Sequence, residues 1–229
     1  MTASTTVEAN LRQTLDNVQR YKQATQARLV AVSKTKPAEA IQEAYAVGQR
    51  HFGENYVQEL VDKAQCLPED IRWHYIGQLQ SNKCKQLAGI PNLWAVETVD
   101  TEKRANSLNA ACENRTQPLH VFVQVNTSAE TNKGGVQPEN CRALVRHIQE
   151  HCNHLQLLGL MTIGSVEHSG KVPNPDFLQL RELRDALEKE TGTRLELSMG
   201  MSHDYQHALE VGSTNVRVGS SIFGTRAKK

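Results

Sequence analysis

Lys34 is the residue in this 229-residue chain whose type and setting most directly offer covalent chemistry. It stands near the end of Arg28-Leu-Val-Ala-Val-Ser-Lys-Thr-Lys-Pro37, a short β-branched, apolar run. An amine at the mouth of a buried strand loses the hydration that favours its charged form, so its pKa falls and part of it is a free nucleophile at neutral pH. Such amines form Schiff bases with aldehydes. A lysine that caps a strand also serves simply as a solvated end residue, and residue type alone leaves both readings open.

A second group of residues offers anion chemistry. Gly200, Ser202, Gly219, Ser220 and Ser221 bring small side chains, hydroxyls and approachable backbone N–H groups, and residues 219–221 are placed to open a terminal helix. That combination suits a phosphate dianion. Glycine and serine are also ordinary turn residues, so this reading depends on where the fold puts them. Gly219-Ser-Ser-Ile-Phe-Gly224 has the spacing of a nucleotide-binding loop but lacks its lysine, and no Gly-x-Gly-x-x-Gly follows any strand, so neither a nucleoside triphosphate nor a dinucleotide is supported. His147-Ile-Gln-Glu-His151 matches a zinc-peptidase spacing but falls in mid-helix ahead of a strand, away from the expected active face, and His203 and His207 stand one helical turn apart with no evident third ligand.

The elements that must position these groups repeat along the chain. Val7, Leu11, Leu15, Val18 and Tyr21 recur at helical spacing and predict a leading helix over residues 5–25. After the lysine strand, residues 38–47 are strong helix formers stopped by Gly48. Strand-like and helix-like segments then alternate, beginning at His51, Arg72, Leu93, His120, Leu155, Leu195 and Asn215, with Asp100 a candidate N-cap for the helix after Val99. Eight such units without a compositional break predict one (β/α)8 TIM-type barrel over residues 1–229, with an extra N-terminal helix. An open doubly wound sheet is the structural alternative. A barrel works at the carboxyl ends of its strands, and TIM barrels often bind phosphate at the loops after strands seven and eight, where the glycine and serine cluster falls.

Composition narrows the class further. The formal net charge of +1 gives no electrostatic reason to expect nucleic acid or an acidic membrane surface. Five cysteines without a Cys-x-x-Cys pair predict free thiols, and the absence of a signal core or long apolar run predicts a cytoplasmic protein, with mitochondrial import the weaker reading.

Several motifs together carry a family resemblance: Ala31-Val-Ser-Lys-Thr-Lys-Pro37, Phe52-Gly-Glu-Asn-Tyr-Val-Gln-Glu59, Trp73-His-Tyr-Ile-Gly77, Gly159-Leu-Met-Thr-Ile163, Leu197-Ser-Met-Gly-Met-Ser202 and Gly212 to Gly224. The chain resembles, from about residue 7 to residue 226, the pyridoxal phosphate homeostasis proteins, small pyridoxal-phosphate-binding barrels related to the N-terminal domain of alanine racemase. The resemblance implies pyridoxal 5'-phosphate as a covalent aldimine on Lys34, the lysine after Val-Ser, with Pro37 putting Lys36 in the turn. By analogy with the racemase domain, Arg217 would face the pyridine nitrogen and Ser202, Gly219 and Ser220 would hold the phosphate. Asn55, His74 and Met161 match pocket positions of the family motifs, Asn55 near the aldimine and Met161 beside the ring.

An arginine at the ring nitrogen opposes its protonation and weakens the cofactor as an electron sink. The second base and additional β-domain of the racemases are not expected after the eighth unit. The resemblance therefore implies a carrier that buffers or delivers the cofactor with little or no catalysis. Dependent apoenzymes would be its recipients, and a monomer or weak dimer its form. A racemase-like enzyme acting on amino acids is the alternative.

Overall fold

The computed structural model describes residues 6–23, 26–128, 130 and 133–225. The chain starts with α1 (Val7–Tyr21), whose first turn is capped by the Thr6 hydroxyl accepting Ala9 N–H, and whose buried stripe is Leu11, Thr14 and Val18. The helix ends before the sequence expectation because Lys22 turns extended, at φ −62° and ψ 131°. Residues 5, 24 and 25 of the expected helix lie outside the described residues.

Eight strands alternate with helices from there on. They are β1 (Arg28–Val32), α2 (Ala38–Ala46), β2 (His51–Glu54), α3 (Val57–Cys66) and β3 (Arg72–Tyr75). A 3-10 turn at Ser81–Lys83 runs into α4 (Cys84–Ala88), followed by β4 (Leu93–Val99), α5 (Glu102–Ala111), β5 (Leu119–Gln124) and α6 (Pro138–His151). The chain continues through β6 (Leu155–Met161), α7 (Pro175–Thr191), β7 (Glu196–Ser198), α8 (Tyr205–Glu210), β8 (Asn215–Val218) and α9 (Ser220–Phe223).

The strands form one closed barrel in sequence order. All neighbours are parallel, and β1 closes on β8 with Arg28 beside Asn215 and Ala31 beside Val218. This is the (β/α)8 architecture expected from the repeat, and it excludes the open sheet. Strands buried on both faces read as apolar runs, which is why they were visible in sequence. The core between barrel and helices is anchored by the fully buried Phe52 and Trp73.

Two details differ from the sequence reading. The strands stop early: β7 ends at Ser198 and β8 at Val218, so Gly200, Ser202 and Gly219 lie in loops, while Ser220 and Ser221 open α9. Asp100 is not the N-cap of α5. Thr101 takes that position in extended backbone and accepts Arg104 N–H at 3.2 Å, while the Asp100 carboxylate pairs with the Arg104 guanidinium.

The amino-terminal ends of the strands are plugged by Arg28, whose guanidinium stacks 4.3 Å from the Trp94 ring and pairs with Glu196 at 2.8 Å. At the other end, α1 braces the last helices: Asn10 donates to the Ile222 carbonyl at 3.1 Å and Asn17 to the Tyr205 hydroxyl at 2.9 Å.

Candidate functional site

The lysine motif leaves the barrel through a tight turn. Ser33 N–H makes a ladder bond to Gly53 carbonyl at 3.0 Å, and Lys36 N–H closes the turn onto Ser33 carbonyl at 3.0 Å, with Lys34 and Thr35 at its tip. Both lysines border one cavity. Lys36 directs its ammonium to the carbonyls of Phe223, at 2.8 Å, and Thr225, at 3.1 Å, and so ties the turn to the end of α9.

Lys34 lines a cavity of about 240 Å³ at the carboxyl ends of β1 and β8. Val32, Ile76 and Met201 supply apolar wall, Arg217 enters as a polar group, and Ser202, Gly219 and Ser220 line the same space. Gly219 N–H donates to the Ser202 hydroxyl at 3.1 Å, so the loops after β7 and β8 are joined there. The first internal bonds of α9 run from Ile222 and Phe223 to the Gly219 carbonyl. The N–H groups of Ser220 and Ser221 therefore precede the helix's own ladder, as helix starts require. A side chain on Gly219 would bring its Cβ within 3.2 Å of the Val32 carbonyl, closer than ordinary contact.

Arg217 is only 3% exposed. Its guanidinium donates to Ser198 Oγ at 2.5 Å and to the Thr162 carbonyl at 2.8 Å, with Glu97 at 4.0 Å. Glu97 is fully buried and accepts from Ser198 Oγ at 2.5 Å, His74 Nδ1 at 2.5 Å and Asn215 Nδ2 at 3.1 Å. Since Glu97 can only accept, the His74 proton sits on Nδ1, and His74 Nε2 then accepts from His51 Nδ1 at 2.8 Å. Burial raises the Glu97 pKa, but the hydrogen bond from His74, together with the Arg217 charge and the Ser198 hydroxyl, outweighs it and holds the group below the usual carboxylate range. Burial lowers His74 and pushes His51 down to about 2. The line therefore consists of neutral imidazoles, one carboxylate and one guanidinium, its donors converging on Glu97.

Of the residues proposed from sequence, Lys34, Ser202, Arg217, Gly219 and Ser220 meet at one cavity. Asn55, His74 and Met161 do not line it. Asn55 borders a neighbouring depression with Tyr56, Tyr75 and Lys83, where its Oδ1 is buried without a hydrogen-bond partner. His74 stands behind Arg217 in the buried line. Met161, 1% exposed, packs with Ala95 and Phe122 in a small apolar cluster. The histidine pairs have other partners: His147 Nε2 bonds Asn106 Oδ1 at 2.7 Å, and His207 Nε2 accepts Asn174 N–H at 3.0 Å.

Two supporting residues escaped the sequence reading. Glu97 is a carboxylate inside the mostly apolar Leu-Trp-Ala-Val-Glu-Thr-Val strand, a position that demands a buried partner. Lys63 is the third member of the buried stripe of α3, after Val57 and Leu60, where helical periodicity calls for an apolar side chain.

The donor set fits a phosphorylated aromatic aldehyde: an amine, hydroxyl and N–H donors from two loops, a buried guanidinium and apolar walls on one cavity. Comparisons with known proteins agree in class. The family model for the alanine racemase N-terminal domain matches residues 9–227. A pyridoxal phosphate homeostasis protein of Schizosaccharomyces pombe is 54% identical over 199 residues, covering 86% of this chain and 84% of that protein. PipY of Synechococcus elongatus, solved with pyridoxal phosphate bound, superposes with a TM-score of 0.81 at 33% identity, covering 95% of this chain and all of that one. An alanine racemase of Clostridium difficile shares the fold, with a TM-score of 0.76 at 14% identity over 96% of this chain and 60% of its own.

Proposed function

The chain belongs to the alanine racemase N-terminal domain family and, within it, to the pyridoxal phosphate homeostasis proteins, and on that premise we propose that it binds pyridoxal 5'-phosphate reversibly, through a Schiff base to Nζ of Lys34, to buffer or deliver the cofactor in the cytoplasm. The observation that carries this reading is the convergence of Lys34, Arg217, Ser202, Gly219 and Ser220 on one cavity of about 240 Å³. The bound cofactor supplies an electrophilic aldehyde and an electron-withdrawing ring.

In this reading the residues of the chain divide the task. Lys34 provides the amine, and Lys36 ties the turn to the carbonyls that end α9. The Ser202 hydroxyl and the Ser220 N–H would take the phosphate, with Gly219, whose N–H is bonded to the Ser202 hydroxyl, adding no side chain to the space. Arg217, with its charge held against Glu97, would face the ring nitrogen and oppose proton uptake there.

We assign a carrier role rather than efficient catalysis. The hydroxyl of Tyr75 donates to the Gln78 carbonyl at 3.2 Å, that of Tyr205 accepts from Asn17, and Tyr56 is 57% exposed. None of the three tyrosines lines the cavity beside Lys34, where His203 is the imidazole at the wall. Mixing the loaded protein with free amino acids tests this: the carrier reading predicts stoichiometric release of the cofactor without turnover. Multiple turnovers of racemised or consumed amino acid would favour the enzyme reading instead.

A further inference from the structure

The turn that presents Lys34 holds a conformation its residues do not favour. Thr35 has φ +62°, in the left-handed region where a β-branched side chain crowds the backbone and glycine is the usual occupant. Such a residue persists where its surroundings over-determine it. Here the surroundings are ionisable side chains from β2 and α3.

Lys63 is 7% exposed, and its ammonium donates to the Ser33 carbonyl at 2.8 Å, to Glu54 Oε1 at 2.8 Å and to Glu59 Oε1 at 2.6 Å. The same two carboxylates reach the turn directly. Glu54 Oε1 accepts the Ser33 hydroxyl at 2.6 Å, and Glu59 Oε1 accepts Thr35 N–H at 2.6 Å. The cluster therefore grips the residues immediately before and after Lys34. Attaching α3 to the barrel does not require it, because an apolar side chain continuing the Val57 and Leu60 stripe would pack there without the desolvation cost of a buried ammonium.

We propose that Lys63, with Glu54 and Glu59, positions Lys34: the cluster holds the strained turn so that the amine faces the cavity, and thereby sets the rate at which Lys34 condenses with an aldehyde. This inference rests on Lys34 being the tether. In the condensation, neutral Nζ attacks the aldehyde carbon, the C=N bond forms, and both amine protons leave with the carbonyl oxygen as water. Release is the reverse addition of water. A misaimed amine slows both directions without altering the contacts that hold the phosphate.

Lys63→Met tests this by comparing two ligands. Stopped-flow absorbance follows Schiff-base formation with pyridoxal 5'-phosphate, and equilibrium titration follows pyridoxine 5'-phosphate, which carries a hydroxymethyl group and cannot condense. The rate is expected to fall about tenfold or more, as misorientation of a reacting group commonly costs. Affinity for pyridoxine 5'-phosphate is expected to stay within about twofold, since its contacts are made elsewhere. Thr35→Gly in the Lys63→Met background is expected to recover most of the rate, because glycine occupies φ +62° without strain. Parallel loss of both ligands, or an unchanged rate, would overturn the proposal. If Lys63→Met does not fold, Glu59→Ala removes the Thr35 acceptor from a partly exposed site and decides by the same two measurements. A wild-type protein that binds pyridoxal 5'-phosphate without forming a Schiff base would instead refute the assignment of Lys34.

Discussion

Arg217 carries its charge almost wholly out of water, and Glu97 makes that tolerable. Removing one partner of a buried pair leaves the other uncompensated, so Glu97→Ala is expected to destabilise the fold by about 3–5 kcal/mol, read from urea unfolding. Adding Arg217→Met should recover part of the loss, because the stranded cation is then gone; full additivity of the two substitutions would contradict the coupling. Lys34 and Arg217 were legible in sequence as residue types at strand ends, helped by the family resemblance. Their supports were not, because partner choice is a property of the closed barrel: Ser198 and Glu97 bond across 101 positions of chain. His74 was read as a pocket residue, yet its ring bonds place it behind Arg217.

Among the elements, the loop between β7 and α8 leaves no room for a side chain at Gly200. Gly200 has φ +95°, and an added Cβ would lie 2.5 Å from Ala208 Cβ and 2.9 Å from Tyr205 Cα. Gly200→Ala is therefore expected to cost about 1–3 kcal/mol through overpacking and strain. It should also weaken pyridoxine 5'-phosphate binding, because Ser202 follows on the displaced segment; wild-type affinity and melting temperature would contradict this. The alternation of strands and helices was readable because buried parallel strands are nearly unbroken apolar runs. Boundaries were less so. Asp100 and Thr101 are both good caps by type, and the contact that separates them, Arg104 drawing Asp100 into an ion pair, is not encoded in capping preference.

For the molecule as a whole, the barrel holds imidazoles neutral. Burial lowers the pKa of His51, His74 and His120. Below the unfolded histidine pKa of 6.5, each takes up a proton on unfolding that the fold refuses, so stability falls as pH falls. Glu97, held low in the fold, contributes in the same direction below the ordinary carboxylate range. Glu54 opposes them: burial pushes it up to about 6, so its contribution is present at low pH and lost as pH rises through that value. Three histidines outweigh one carboxyl, and the urea stability is expected to drop by about 1–3 kcal/mol per pH unit between pH 6.5 and 5. A flat profile over that range would show that the imidazoles titrate normally.

Borohydride reduction of the pyridoxal-phosphate-loaded protein fixes a Schiff base irreversibly, and peptide mapping then locates it. The label is expected on Lys34, with the Lys34→Ala protein unlabelled; a label on Lys36, or none at all, would contradict Lys34 as the tether.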